Sequence, residues 1–546
     1  MACTLLITLL LLILAYPSSA DRSLSPQQSP PPVIAATCVA SRDPPSCEDA
    51  LTKLTFVPPD ANAFQVIQSA LNVTLKNLDK AIWMTKDILA GASGNRNLTT
   101  AAKVCGEILG YSRYRVTLAA HRGLQGPKIK DGRAWVSAAL GYQYDSWSAL
   151  KKENDTAKVI NTMALINDTI MAMTSTALNM LANYDVHGEN VGSWGPVKTE
   201  REGYWEPVKG DRSSRRFDFN GGVPKGLKPN VTVCKSEGCD YMTVQEAVNA
   251  APSLKSRNLF VIWIKAGVYK EMVRVSVKKL NIVFLGDGMG QTVITGALHS
   301  GIPGMNTYGS ATVGVVGDGF MAYNMTFENK GIGYQAVAFR SDADHTLIES
   351  CEFLGNQDTL YVKSLRQYYK SCRIQGNVDF IFGNSAAYFE DCEILFSARP
   401  DNEADPEKGE TNAVSAHGRI DPAQTIGFVF QNCTINATEQ YLKVYYKNPS
   451  VHRNYLGRPW KEYCRTVFIM CSFGDIVSKD GWFPWRDDYA LTTLYYGEFQ
   501  NRGAGADTSG RVNWSSIIPP QHVYSYTVPN FIQGDTWIPQ SGRAYI

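Results

Sequence analysis

The 546-residue chain is 44% apolar and 11% aromatic, which excludes a disordered protein and exceeds what one ordinary core accommodates. Its formal charge is only +2, and the stretch from residue 217 onward is nearly neutral, so a nucleic-acid partner has no electrostatic basis. The seven histidines are scattered without paired spacing, and no metal site is expected.

Residues 1–20 carry an apolar run from Leu5 to Leu14 and then Pro17-Ser-Ser-Ala20. This reads as a secretory signal peptide with a small-residue cleavage site, although the usual basic start is missing. The run is short for a bilayer span, and no later stretch reaches spanning length. Nine Asn-x-Ser/Thr triplets fit a secreted glycoprotein. Of twelve cysteines, Cys3 leaves with the signal peptide. The odd remainder predicts some disulfides and at least one free or intermolecular thiol.

A Pro/Ser-rich lead at 21–35 cannot bury apolar surface. From 36 to 190 the apolar period is helical. Phe64, Ile67, Leu71, Leu75, Leu78 and Ile82 mark one face of a long helix, and similar patterns cover 99–118, 131–151 and 157–183. Four amphipathic helices with short links predict an all-α four-helix bundle without catalytic clusters. Residues 191–230 lose periodicity and read as a linker. The pair Arg215-Arg216 within it is either a site for a processing protease or a solvated basic loop.

Beyond 231 the chain turns to short β-branched runs such as Leu259–Ile264, Leu280–Leu285 and Ala311–Val316. One motif recurs: Asn324-Met-Thr-Phe327, Ser350-Cys-Glu-Phe353, Ser371-Cys-Arg-Ile374, Asp391-Cys-Glu-Ile394, Asn432-Cys-Thr-Ile435 and Met470-Cys-Ser-Phe473. Its spacing, about twenty residues or twice that, predicts an all-β parallel β-helix over 231–546. The aligned cysteines then form an interior stack, with a Cys351–Cys372 disulfide as the open alternative.

Two successive repeats end alike, in Gly355-Asn-Gln-Asp358 and Gly376-Asn-Val-Asp379. Equivalent places on adjacent rungs set Asp358 and Asp379 about 4.8 Å apart. Like charges that close push their pKa values apart, so one carboxyl stays protonated while the other is ionised. A hydrogen-bonded Asn/Asp turn ladder is the plainer explanation for an isolated pair. Here Gln357 precedes the first Asp, and Phe380-Ile-Phe-Gly383 follows the second. An apolar floor and an amide donor beside a carboxylate suit nucleophilic attack on a carbonyl. Gln335 can project from the same face, and Arg458 and Trp460 in Leu456-Gly-Arg-Pro-Trp460 suit a carboxylate and a sugar face. Gly286-Asp-Gly-Met-Gly290 lacks the rest of a phosphate loop and reads as a turn.

In the order Gly267-Val-Tyr-Lys-Glu271, Gln335-Ala-Val, Gln357-Asp-Thr-Leu360, Asp379-Phe-Ile-Phe-Gly383 and Leu456-Gly-Arg-Pro-Trp460, the region 231–540 resembles the plant pectin methylesterases. That resemblance implies a right-handed parallel β-helix and hydrolysis of methyl-esterified homogalacturonan in the cell wall without a metal or organic cofactor. It implies Asp379 as nucleophile, Asp358 as general acid and then base, and Gln335 and Gln357 as oxyanion donors. Arg458 would hold Asp379 ionised, while Trp460 and Thr307 contact substrate. The helical half resembles the inhibitor-like pro-region of these enzymes, with Cys38 and Cys47 as its hairpin pair.

The chain departs from the family pattern at Lys363 (usually His), His417 (often Gln), Gly331-Ile-Gly-Tyr334, and the added Cys234 and Cys239. Cys105 faces Tyr144 where a second bridge is expected, so that bridge should be missing. A polygalacturonase is the enzymatic rival, because paired acids also cleave glycosidic bonds. A non-catalytic inhibitor acting through the helical half is the other.

Overall fold

The computed structural model describes residues 31–124, 126–153, 155–211, 213–253, 258–399 and 408–540. The expected signal peptide and most of the expected lead therefore lie outside the described residues. Helices begin within the expected lead, at α1 (Pro32–Cys38), which the Cys38–Cys47 disulfide ties to α2 (Pro44–Leu54).

The long helices are α3 (Ala63–Gly91), α4 (Arg96–Arg122), α5 (Ile129–Lys151) and α6 (Ala157–Ala164) running on to α7 (Ala172–His187). Asn62 starts α3 with a capping box, its side chain accepting from Gln65 N–H while Gln65 Oε1 accepts from Asn62 N–H. Asn95 and Thr156 cap α4 and α6 with the side chain alone, accepting from Leu98 and Val159 N–H. On α3, Ile67, Leu71 and Leu78 are fully buried, while Phe64, Leu75 and Ile82 pack at the edge. The fourth helix is not uniform: Leu165–Met171 forms a π-helical turn between α6 and α7. Apolar spacing does not reveal such a turn.

The second half is a parallel β-helix of three sheets with eleven, seven and eight strands. Each rung contributes in register, so that Tyr269, Ile294, Phe327, Phe353, Ile374, Ile394, Ile435 and Phe473 form one interior column. A second column stacks Phe389, Phe430 and Phe468, with ring centroids 4.7 and 4.5 Å apart. α8 (Val244–Ala250) closes one end with Val244, Ala247 and Val248.

The recurring motif has a backbone cause. Its first residue (Asn324, Ser350, Ser371, Asp391, Asn432 and Met470) sits in the left-handed region, with φ of 50–56°. There the chain turns from the eleven-stranded to the eight-stranded sheet. Asn and Asp tolerate that conformation because their short polar side chains bond locally; Met470 does so without that help. The following cysteines stack as buried thiols. Cys351 and Cys372 each donate to the carbonyl two residues back, at 3.4 Å, so the alternative Cys351–Cys372 disulfide is not formed. Cys234 and Cys239 are bonded to each other. Cys105 is a buried thiol, while Tyr144 accepts a 2.8 Å hydrogen bond from Lys461 Nζ.

Residues 191–230 are anchored at points along the β-helix. Glu200 pairs with Arg465 at 2.6 Å, and Trp205 stacks on His522 with centroids 4.6 Å apart. Ser214 is fully buried, its carbonyl accepting from Thr527 Oγ1 and Asn530 Nδ2 at 2.8 Å each. The contacts are made by isolated side chains, which leave no periodic trace. Arg215 and Arg216 themselves are exposed.

Candidate active site

The seven-stranded sheet consists of Val273–Val275, Val313–Val315, Phe339–Ser341, Leu360–Val362, Val378–Gly383, Glu410–His417 and His452–Pro459. Registered pairing aligns Arg340, Tyr361, Phe382, Ala416 and Arg458 in one row across it. Tyr361 and Phe382 stack at 4.1 Å, Trp460 meets Phe382 edge-on at 6.2 Å, and Tyr308 and Trp485 pack on the same cluster. Of the run Phe380–Gly383 expected as an apolar floor, only Phe382 joins this cluster; Phe380 and Ile381 are buried in the interior of the β-helix.

Asp358 lies in the turn before the strand Leu360–Val362 and Asp379 is the second residue of the strand Val378–Gly383; each stands two residues ahead of the paired Leu360 and Ile381, which keeps them on consecutive rungs. Both have left-handed φ, 64° and 50°. The pairing of Val378–Gly383 with Glu410–His417 breaks register between Val378 and Ile381, so Asp379 stands at a bulge. The glycine of the second echo has a steric reason. A Cβ on Gly376 would fall 2.3 Å from Phe380 Cβ and 2.7 Å from Asn356 O.

Arg458 distinguishes the two acids. Its Nε donates to Asp379 Oδ1 at 2.7 Å and its Nη2 to Oδ2 at 2.6 Å, a bidentate pair. The guanidinium also lies 4.4 Å from the Trp485 ring centroid. Both carboxyls are buried. Burial drives Asp358 well above the ordinary carboxylate range, the Asp379 charge adds to the rise, and Arg458 opposes it. Burial also raises Asp379, but the hydrogen bonds and charge of Arg458 pull it back. Both carboxyls are raised, and Asp358, which lacks the bidentate guanidinium, is raised further.

Gln335 and Gln357 lie half-exposed beside this pair, joined through Ala336 N–H, which donates to Gln357 O at 3.1 Å. Thr307 lies in the loop before Tyr308, half-exposed, its carbonyl accepting from Ser310 Oγ. Trp485 escaped the sequence reading. The local cluster Trp482-Phe-Pro-Trp485 was its signal, but it belongs to no repeat.

The helical bundle meets residues that follow two strands of this sheet and the loop at Gly304. Asp145 pairs with Lys363 at 2.5 Å, Tyr142 Oη donates to Asp342 O at 3.1 Å, and Thr100 Oγ1 donates to Gly304 O at 2.7 Å. Further along, Arg115 binds both Asp318 oxygens, and Arg366 joins Asp131 to Asp344. Lys363 is fully buried, which lowers its ammonium pKa, with the Asp145 charge opposing.

A family model described as Pectinesterase matches residues 230–535, and one described as Plant invertase/pectin methylesterase inhibitor matches 32–180. Probable pectinesterase/pectinesterase inhibitor 64 of Arabidopsis thaliana is 51% identical over 509 residues, covering 92% of this chain and 84% of its own. A pectinesterase of Daucus carota is 46% identical over 317 residues, covering 57% of this chain and 95% of its own. The solved structure of pectin methylesterase from carrot aligns at 44% identity with a TM-score of 0.54, covering 59% of this chain and 98% of its own.

Proposed function

The chain belongs to the pectinesterase family, a family of carboxylic ester hydrolases, and from that premise we propose how its residues demethylate pectin. Asp379 attacks the carbonyl carbon of a galacturonate methyl ester. The amides of Gln335 and Gln357 donate to the oxyanion that develops. Asp358 gives its proton to the departing methoxide, releasing methanol and leaving galacturonate joined to Asp379 as an acyl-enzyme. Asp358, now a carboxylate, takes a proton from water as the water oxygen attacks the acyl carbon. Collapse frees the pectate carboxyl, returns Asp379 as a carboxylate and leaves Asp358 protonated. Trp460 offers a face to a sugar ring, with Thr307 as a polar contact.

The observation that carries this reading is the bidentate Arg458–Asp379 pair beside an Asp358 whose pKa burial has raised. Asp379→Ala in residues 217–546 is expected to abolish methanol release while pectin binding and the unfolding transition persist. Normal methanol release from that variant sinks the nucleophile assignment.

The protein is secreted to the cell wall after loss of residues 1–20. Its bundle restrains the active-site face, and a protease cut after Arg215-Arg216 permits its release. What supports the restraint is the set of bundle contacts at Lys363, Asp342 and Gly304; the exposure of the two arginines supports the cut. N-terminal sequencing of the wall-bound form tests it, and an intact linker there contradicts it.

A further inference from the structure

A carboxamide offers an oxygen at one end and an NH2 at the other, and only the NH2 stabilises an oxyanion. At Gln335 the neighbours decide which end is free. Ser300 Oγ donates to Gln335 Oε1, and the Ser300 backbone N–H donates to Gln335 O at 2.9 Å. With the oxygen engaged, the NH2 is the end left to face the cleft.

The loop carrying Ser300 is held in place. Asn329 Nδ2 donates to Leu298 O at 3.0 Å, and Asn329 Oδ1 accepts from Gly331 N–H at 2.8 Å. The His299 ring stacks on Tyr334, with centroids 5.2 Å apart and planes at 10°. Gly301 lies beneath the same ring, where a Cβ would fall 2.6 Å from the Tyr334 carbons. Residues 299–301 therefore wrap the Tyr334-Gln335 corner from both sides.

We infer that Ser300 is a positioning residue for the esterase reaction, holding the Gln335 amide with its NH2 toward the developing oxyanion. The inference rests on the oxyanion role proposed above for Gln335. Without the hydroxyl, the amide turns freely and spends part of its time presenting lone pairs to a negative charge. That penalty falls on the transition state and leaves ground-state binding alone.

The test uses residues 217–546, a length that matches almost the whole of the separately folded carrot enzyme. Removing one oxyanion donor costs about 100- to 1,000-fold in kcat, which is the expectation for Gln335→Ala. Ser300→Ala, which misorients the donor without removing it, is expected to lower kcat about tenfold with KM unchanged. Ser300→Thr, which keeps the hydroxyl, restores most of the loss. In a Gln335→Ala background, Ser300→Ala has no further effect. Full activity in Gln335→Ala overturns the oxyanion reading and this inference with it. If Gln335→Ala is impaired, three results overturn the role of Ser300 alone: an active Ser300→Ala, an equal loss with and without Gln335, or no rescue by Thr.

Discussion

Replacing Arg458 by Met keeps much of the stem and removes both hydrogen bonds to Asp379. Breaking a buried ion pair from one side costs about 3–5 kcal/mol, because the remaining charge is left uncompensated. At 1.36 kcal/mol per pKa unit, that corresponds to a rise of about two to four units for the first proton leaving the Asp358–Asp379 pair. Below that pKa the nucleophile is protonated, so the acid limb of the kcat/KM profile moves up by about as much. Stability moves the other way. A carboxyl whose folded pKa lies above its unfolded value binds more protons when folded, so stability falls as pH rises through that window. In Arg458→Met, methanol release should recover with rising pH while Tm, measured by calorimetry without pectin, declines relative to the parent. An acid limb that stays in place, or a Tm difference independent of pH, refutes the assignment of Arg458 as the group holding Asp379 ionised.

Asp145→Ala in the full chain strands the buried Lys363 ammonium and should weaken bundle docking by about 3–5 kcal/mol. It is read as earlier release of the bundle in denaturant, and the double variant with Lys363→Met should recover much of the loss. Asn62→Ala removes the side-chain cap of α3 and should cost about 1 kcal/mol of bundle stability, seen as a lower Tm. Thiol titration of the folded protein should find almost nothing reactive. Denaturant without reductant should expose seven thiols, Cys3 aside, whereas five would mean that Cys351 and Cys372 are bonded after all.

The β-helix was legible because its repeat is enforced one residue at a time. A left-handed turn, an inward thiol and a stacked Phe or Ile must return at each rung, and Asp358 and Asp379 inherit their spacing from that period. The asymmetry between the acids was harder to read, since Arg458 arrives from a strand 79 residues beyond Asp379. Ser300 and Trp485 come from loops outside the repeat, where no periodicity points to them. The helical faces of the bundle were plain, but its docking was not. Asp145, Asp131 and Arg115 look like ordinary polar positions until their partners at 363, 366 and 318 are seen. The anchoring of the linker was hidden for the same reason, because Glu200, Trp205 and Ser214 each act alone.

The anchoring of that linker separates two events that a single cut is easily taken to join. Glu200, Trp205 and Ser214 all lie upstream of Arg216, so a chain severed there keeps every one of these holds on the β-helix. Cleavage changes only the arithmetic of rebinding: a tethered segment faces its site at an effective concentration of about millimolar, and a severed one at its actual concentration. Activation would then follow dilution as well as proteolysis. On the proposed cut, the severed protein would stay inhibited while concentrated and become active on dilution.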